Sequence, residues 1–133
     1  MWTMAVFMPQ FTYDYAGRFI IAVFVAAFGI FIEAISVGAF IKARTTVNPI
    51  NLSKSSELVT DGLYKFTRNP MYLGMLFLLI GWALFLGNLA SLLGVFGFAM
   101  VMNAIQIKPE EAALEKIFGE DYRVYKTRVR RWI

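Results

Sequence analysis

Three blocks of the chain, residues 18–40, 71–86 and 89–107, are almost wholly apolar and carry only Arg18 and Glu33 as charged residues. At 1.5 Å of rise per residue each is about long enough, as a helix, to cross most or all of a hydrocarbon layer roughly 30 Å thick. Only Gly87-Asn88 separates the second block from the third, which predicts a tight turn and an antiparallel pair. The pattern predicts an all-α fold, a polytopic transmembrane helical bundle of about three spans. Small residues at Ala22 and Ala26, and again at Ala34 and Gly38, predict close helix approach in lipid. Residues 1–17 form an N-terminal apolar segment too short to cross alone, and they lack the basic start and small-residue cleavage site of a signal peptide.

After Pro109 the pattern changes to a helical period with Ala113, Leu114, Ile117 and Phe118 on one face, interrupted at Gly119 and resumed through Tyr122, Tyr125 and Val129. Residues 109–133 are thus expected to be an amphipathic tail lying along the membrane and covering a pocket. The whole of 1–133 reads as one membrane-embedded domain, with no internal repeat.

Composition agrees: 59% of residues are hydrophobic and 17% charged, with a mean hydropathy of +0.60. Five of the thirteen Lys and Arg residues lie from Lys42 to Arg68 and seven from Lys108 to Arg131. Two spans separate these segments, so the positive-inside rule puts both in the cytoplasm. The net charge of +4 is then explained by topology and by attraction to anionic lipid, which argues against a nucleic-acid partner. Arg123, Lys126, Arg128, Arg130 and Arg131 are expected on lipid phosphates, and Trp132 at the interface. The chain has no Cys and no His, so thiolate nucleophiles, iron–sulfur ligation and the commonest general base are missing, and no metal site is expected.

Two polar clusters bracket the hairpin of the second and third blocks, one running through Arg68-Asn69-Pro70-Met71-Tyr72 and the other at Pro109-Glu110-Glu111. The hairpin puts both at one membrane face, and packed helices lie roughly 8–10 Å apart, so one small ligand can touch both. Each cluster also has a plain structural reading as a helix start, with Asn or acidic residues capping and Pro in the first turn. The same groups can serve a ligand: free backbone N–H groups hold a carboxylate, and a Glu pair holds an ammonium or ribose hydroxyls. Glu33, inside a span, is either a functional group or a carboxylate that reaches water near a helix end.

As an ordered set, Leu58-Val59-Thr60-Asp61-Gly62-Leu63-Tyr64, then Arg68-Asn69-Pro70-Met71-Tyr72-Leu73-Gly74, then Glu110-Glu111, then Phe118-Gly119-Glu120-Asp121-Tyr122 with Tyr125 and Val129, resembles the isoprenylcysteine carboxyl methyltransferase and phospholipid methyltransferase superfamily. The resemblance covers roughly residues 45–133. It implies an integral membrane enzyme that takes a methyl group from S-adenosylmethionine, with Ser56, Glu57, Leu58, Val59, Tyr64, Asn69, Pro70, Met71, Tyr72 and Glu110 at the cofactor. It further implies Arg68 and Glu111 as supporting catalytic residues. Asn103, Gln106 and Glu33 are weaker candidates for the substrate side.

Two departures from the family pattern stand out. Many relatives have His where this chain has Asn69, which preserves hydrogen bonding better than any proton transfer. Relatives that methylate a prenylated cysteine carboxylate carry arginine in the turn before the acidic pair, whereas this chain has Asn103-Ala104-Ile105-Gln106. A thiolate or carboxylate acceptor needs no active-site base, so a lipophilic or small thiol or acid ranks above an amine. The expected partners are the bilayer and a lipophilic small-molecule acceptor. Relatives commonly have more than three spans, and a homodimer is one way to complete the pocket. The alternatives are a membrane reductase of the sterol-reductase type binding NADPH, for which the pocket motifs offer mainly Lys65 and Arg68, and a non-catalytic membrane interaction module.

Overall fold

The computed structural model describes residues 1–43 and 57–133. Ser56 lies outside them. Six α-helices organise the described residues: α1 (Trp2–Phe7), α2 (Arg18–Lys42), α3 (Pro70–Leu86), α4 (Leu92–Val101), α5 (Lys108–Phe118) and α6 (Glu120–Arg128). Helix α2, and the continuous helical run Leu89–Phe118 that contains α4 and α5, are long and apolar enough to cross a membrane, while α3 is an apolar helix of 17 residues. Phe19, Ile20, Val23, Phe24, Phe28, Ile30 and Phe31 of α2 are exposed, an outward face that only an apolar solvent accommodates.

Helix α3 lies between α2 on one face and α4 on the other. Its seam with α2 is built from small residues in matching register. Gly29 and Ala22, seven apart, face Gly74 and Gly81, also seven apart, so the helices run antiparallel with backbones almost touching. A Cβ added at Gly29 would lie 2.7 Å from the Gly74 carbonyl oxygen, and one at Gly81 would lie 2.9 Å from that of Ala22. Ala22 and Ala26 take the expected place, but Ala34 is exposed and nothing lies within 4 Å of a Cβ at Gly38. Four-residue spacing nominates several stripes; the partner's glycines choose among them.

The turn at Gly87-Asn88 forms as expected. Gly87 ends α3 with a left-handed φ of +59°, and a Cβ there would meet the Tyr13 carbonyl oxygen at 2.8 Å. Asn88 is wholly buried: its amide donates to the Met8 carbonyl (2.9 Å) and Thr12 Oγ1 (3.2 Å), and its Oδ1 accepts from the Ala90 N–H (2.9 Å). These bonds tie the N-terminal segment across the tip of the hairpin. Asn88→Ala strands the Met8 carbonyl and the Ala90 N–H, and should cost about 2 kcal/mol. The check is a lowered midpoint in thermal unfolding of the detergent-solubilised protein.

The far end of the hairpin departs from the expected pattern in two ways. No break occurs at Pro109; the helix passes through it, so the acidic pair does not sit at a helix start. Residues Met102–Ile107 form a π-helix, in which the Lys108 N–H reaches back to the Asn103 carbonyl. Pro109 supplies the reason, because it has no N–H for the ladder and its ring crowds the carbonyl four residues back. Widening the preceding turn relieves both. Asn69 likewise precedes α3 without any side-chain capping bond. Its amide is used elsewhere.

Gly119, with φ of +55°, breaks the run and folds α6 back. Tyr122, Tyr125 and Val129 then bury together against Leu58, Leu114 and Phe118, the grouping the period of the tail predicts; Ile117 stays exposed. Tyr125 donates from its hydroxyl to the Tyr64 carbonyl at 2.7 Å, and Phe40 of α2 meets the Tyr64 ring edge-on at 5.5 Å. The chain is extended at Val129, and the residues after it cross over residues 67–69.

Candidate functional site

The start of α3 and the stretch of α5 that carries Glu110 and Glu111 meet at one end of the hairpin. Tyr72, in the first turn of α3, donates its hydroxyl to Glu110 Oε2 at 2.8 Å. One residue on, Glu111 is buried and pairs with Arg68: Arg68 Nη2 lies 3.1 Å from Glu111 Oε1, and each side chain is 10% exposed. Consecutive residues on a helix diverge by about 100°, so Glu110 and Glu111 face different partners.

A third group completes the cluster. Arg131 forks onto Glu111, with Nε 3.0 Å from Oε1 and Nη2 2.6 Å from Oε2, and its Nη1 donates to Asn103 Oδ1 at 2.9 Å. These bonds to Glu111 raise the pKa of Arg131 above the ordinary arginine value. Its backbone is engaged as well, since the Arg131 carbonyl accepts from Asn69 Nδ2 (2.8 Å) and Thr67 Oγ1 (3.2 Å), and the Arg68 N–H donates to the Arg130 carbonyl (2.9 Å). Residues 130 and 131 therefore form a strap from the tail to the chain before α3.

Arg131 is a correction to the expectation from charge, which put it on lipid phosphates. Arg123 and Lys126 depart from that expectation too, each 2.9 Å from a Glu115 carboxylate oxygen. A carboxylate that can be reached offers a cation a nearer, geometrically fixed partner than a phosphate. Arg128 and Arg130 remain exposed. Thr67, buried, is a site residue that no motif pointed to.

The structure brings Arg68, Asn69, Tyr72, Asn103, Glu110 and Glu111 together, with Pro70 fully buried and Met71 half-buried beside them. Gln106, on the π-helix, faces the Tyr72 hydroxyl. Tyr64 is reached through Tyr125, and burial holds both phenols above their usual range, so both remain protonated donors. Leu58 packs on the tyrosine cluster, Val59 is half-buried, and Glu57 is exposed. Glu33 stands apart. It packs against Gly74, about 200° around α3 from Tyr72, with its Oε1 buried and unbonded among the described residues.

Two features bear on ligands. Arg68 Nε and Nη1 are buried and have no partner among the described residues, so two of its three guanidinium nitrogens are unused. A cavity of about 660 Å³ opens on the outer side of Tyr125, lined among others by Leu58, Asp61, Lys65, Asp121 and Arg128. It is distinct from the Arg68–Glu111–Arg131 cluster, and among the described residues expected at a cofactor only Leu58 lines it.

Residues 17–121 match the pattern of the phospholipid methyltransferase family. A protein-S-isoprenylcysteine O-methyltransferase of Schizosaccharomyces pombe is 33% identical over 94 residues, 68% of this chain and 40% of that protein. The protein of the same name from Xenopus laevis is 32% identical over 103 residues, 75% of this chain and 36% of that protein. An uncharacterized protein of Haemophilus influenzae is 51% identical over 63 residues, 47% of this chain and all of its own length. The chain spans 40% or less of the length of these two methyltransferases. No solved structure gives a significant match.

Proposed function

Because the chain belongs to the phospholipid methyltransferase family, we propose that it is an integral membrane methyltransferase. In this reading it uses S-adenosylmethionine and acts at the cytoplasmic face on a lipophilic or small thiol or carboxylate acceptor. The observation that carries the cofactor is the charge arrangement of the cluster. Arg68 and Arg131 share the single carboxylate of Glu111, which leaves one positive charge and two unused Arg68 nitrogens. Glu110, bonded to Tyr72 rather than to either arginine, supplies a separate negative charge. That pair of charges complements the zwitterionic end of an amino-acid-like ligand, with its carboxylate at Arg68 and its ammonium at Glu110.

S-adenosylmethionine, when bound, supplies a methyl group on a positively charged sulfur. The protein's part is to hold and orient its reactants and to keep water away, which for an in-line displacement can provide most of the acceleration. Arg68 and Glu110 anchor, Tyr72 fixes the Glu110 carboxylate, and Asn69 ties the start of α3 to the strap. Acceptors that arrive as anions suit this cluster, since Glu110 already accepts a bond from Tyr72 and the chain has no His. Asn103 and Gln106 border the cluster from the π-helix and are the polar groups proposed for the acceptor side. The concentration of Lys and Arg from Lys42 to Arg68 and from Lys108 onward supports the cytoplasmic orientation and three spans.

Calorimetric titration of the detergent-purified protein tests this reading. S-adenosylmethionine is expected to bind in the micromolar range and NADPH not at all, and Glu110→Gln should weaken the former by about tenfold. Binding of NADPH alone would favour the reductase, and binding of neither the non-catalytic module.

A further inference from the structure

We propose that Arg131 is a positioning residue for the ligand-binding nitrogens of Arg68, acting through Glu111. The inference rests on the methyltransferase reading and assigns a task that the motifs give to no residue. The two arginines of the cluster differ in how their nitrogens are used. All three side-chain nitrogens of Arg131 donate to protein acceptors, two to Glu111 and one to Asn103. Arg68 bonds only through Nη2, and its Nε and Nη1 are buried without a partner among the described residues. Each side-chain nitrogen of Arg131 is therefore committed to a protein acceptor, while two of the three Arg68 nitrogens have none among the described residues.

The effect of Arg131 on Arg68 follows from charge. Alone with Arg68, the Glu111 carboxylate would neutralise it and be free to rotate toward its other nitrogens. With both Glu111 oxygens forked by Arg131, the carboxylate is fixed in orientation and its charge is shared between two cations. Arg68 keeps net positive character, and only its Nη2 is drawn to Glu111. Partial burial strengthens this, because the field of a shared carboxylate is less screened there than in water. The bond to Asn103 also ties the fork to the π-helix, so the geometry of that turn and the orientation of Glu111 are set together.

The test compares two probes of the same nucleoside. S-adenosylhomocysteine carries the amino-acid carboxylate and ammonium; 5′-methylthioadenosine lacks both. The wild-type protein is expected to bind S-adenosylhomocysteine more tightly. In Arg131→Gln that affinity should fall by about tenfold or more, while affinity for 5′-methylthioadenosine stays within about twofold. Arg131→Lys, which keeps the charge but cannot fork, should recover part of what Arg131→Gln loses and remain weaker than the wild-type protein. The backbone bonds of the strap run through the Arg130 and Arg131 carbonyls and survive both substitutions, so the variants should fold; an unchanged thermal midpoint verifies it. Equal weakening for both probes would reduce Arg131 to a structural role, and no weakening would remove it from the site; either overturns the proposal. If the wild-type protein binds neither probe, the methyltransferase reading fails and the proposal falls with it.

Discussion

Arg68→Ala is expected to lower affinity for S-adenosylmethionine by about 100-fold while leaving the protein folded. The donors on two unused nitrogens and the charge behind them would be lost together, and charge-assisted bonds are worth about 1.5–3 kcal/mol each. The fold should tolerate the change because Glu111 keeps its fork from Arg131, so no buried carboxylate is stranded. The backbone N–H at position 68 still reaches the Arg130 carbonyl. Calorimetry and a thermal melt on the same preparation separate the two effects. A large drop in the melting midpoint with the affinity loss would make Arg68 a structural residue first.

The second large effect is expected at the α2–α3 seam. At Gly74 even a Cβ would lie 2.8 Å from the Gly29 carbonyl oxygen, and backbone cannot yield there as a flexible side chain can. Gly74→Leu must push the two helices apart, at a cost of more than about 3 kcal/mol. Separation would also disturb the first turn of α3, which carries Tyr72. The expected result is loss of a monodisperse species on size exclusion in detergent, and no cofactor binding. Gly38→Leu, on α2 where nothing lies within 4 Å, is the matched control and should behave as the wild-type protein does. Equal behaviour of the two variants would mean that the glycine seam does not hold the bundle.

Much of this arrangement is legible in the residues. The uncharged runs and Gly87-Asn88 force a hairpin, and a hairpin forces Arg68–Tyr72 and Glu110–Glu111 to one end; the Tyr72–Glu110 and Arg68–Glu111 pairs are the result. The tail's buried face follows from the spacing of Leu114, Phe118, Tyr122, Tyr125 and Val129. Other features lack such a signature. Arg131 is one of five cations in nine residues, and topology explains all five equally well until their positions in space are known. The one local hint is the extended alternation of buried Val129, exposed Arg130 and half-buried Arg131, since side chains in extended chain point to alternate sides. The π-helix has no compositional mark, and Pro109 suggested a helix start because that is where proline usually falls. Asn69 similarly looked like a cap, whereas its amide serves the strap.

The strap has a consequence for truncation. Residues 68–72 and 110–111 meet through the hairpin alone, but Arg131 lies twenty residues beyond Glu111 in the chain. A chain cut before residue 131 would keep the helices of the bundle and lose the clamp on Glu111 and Asn69. Trimming the last few residues by a protease would therefore spare the apolar helices while unfastening the start of α3.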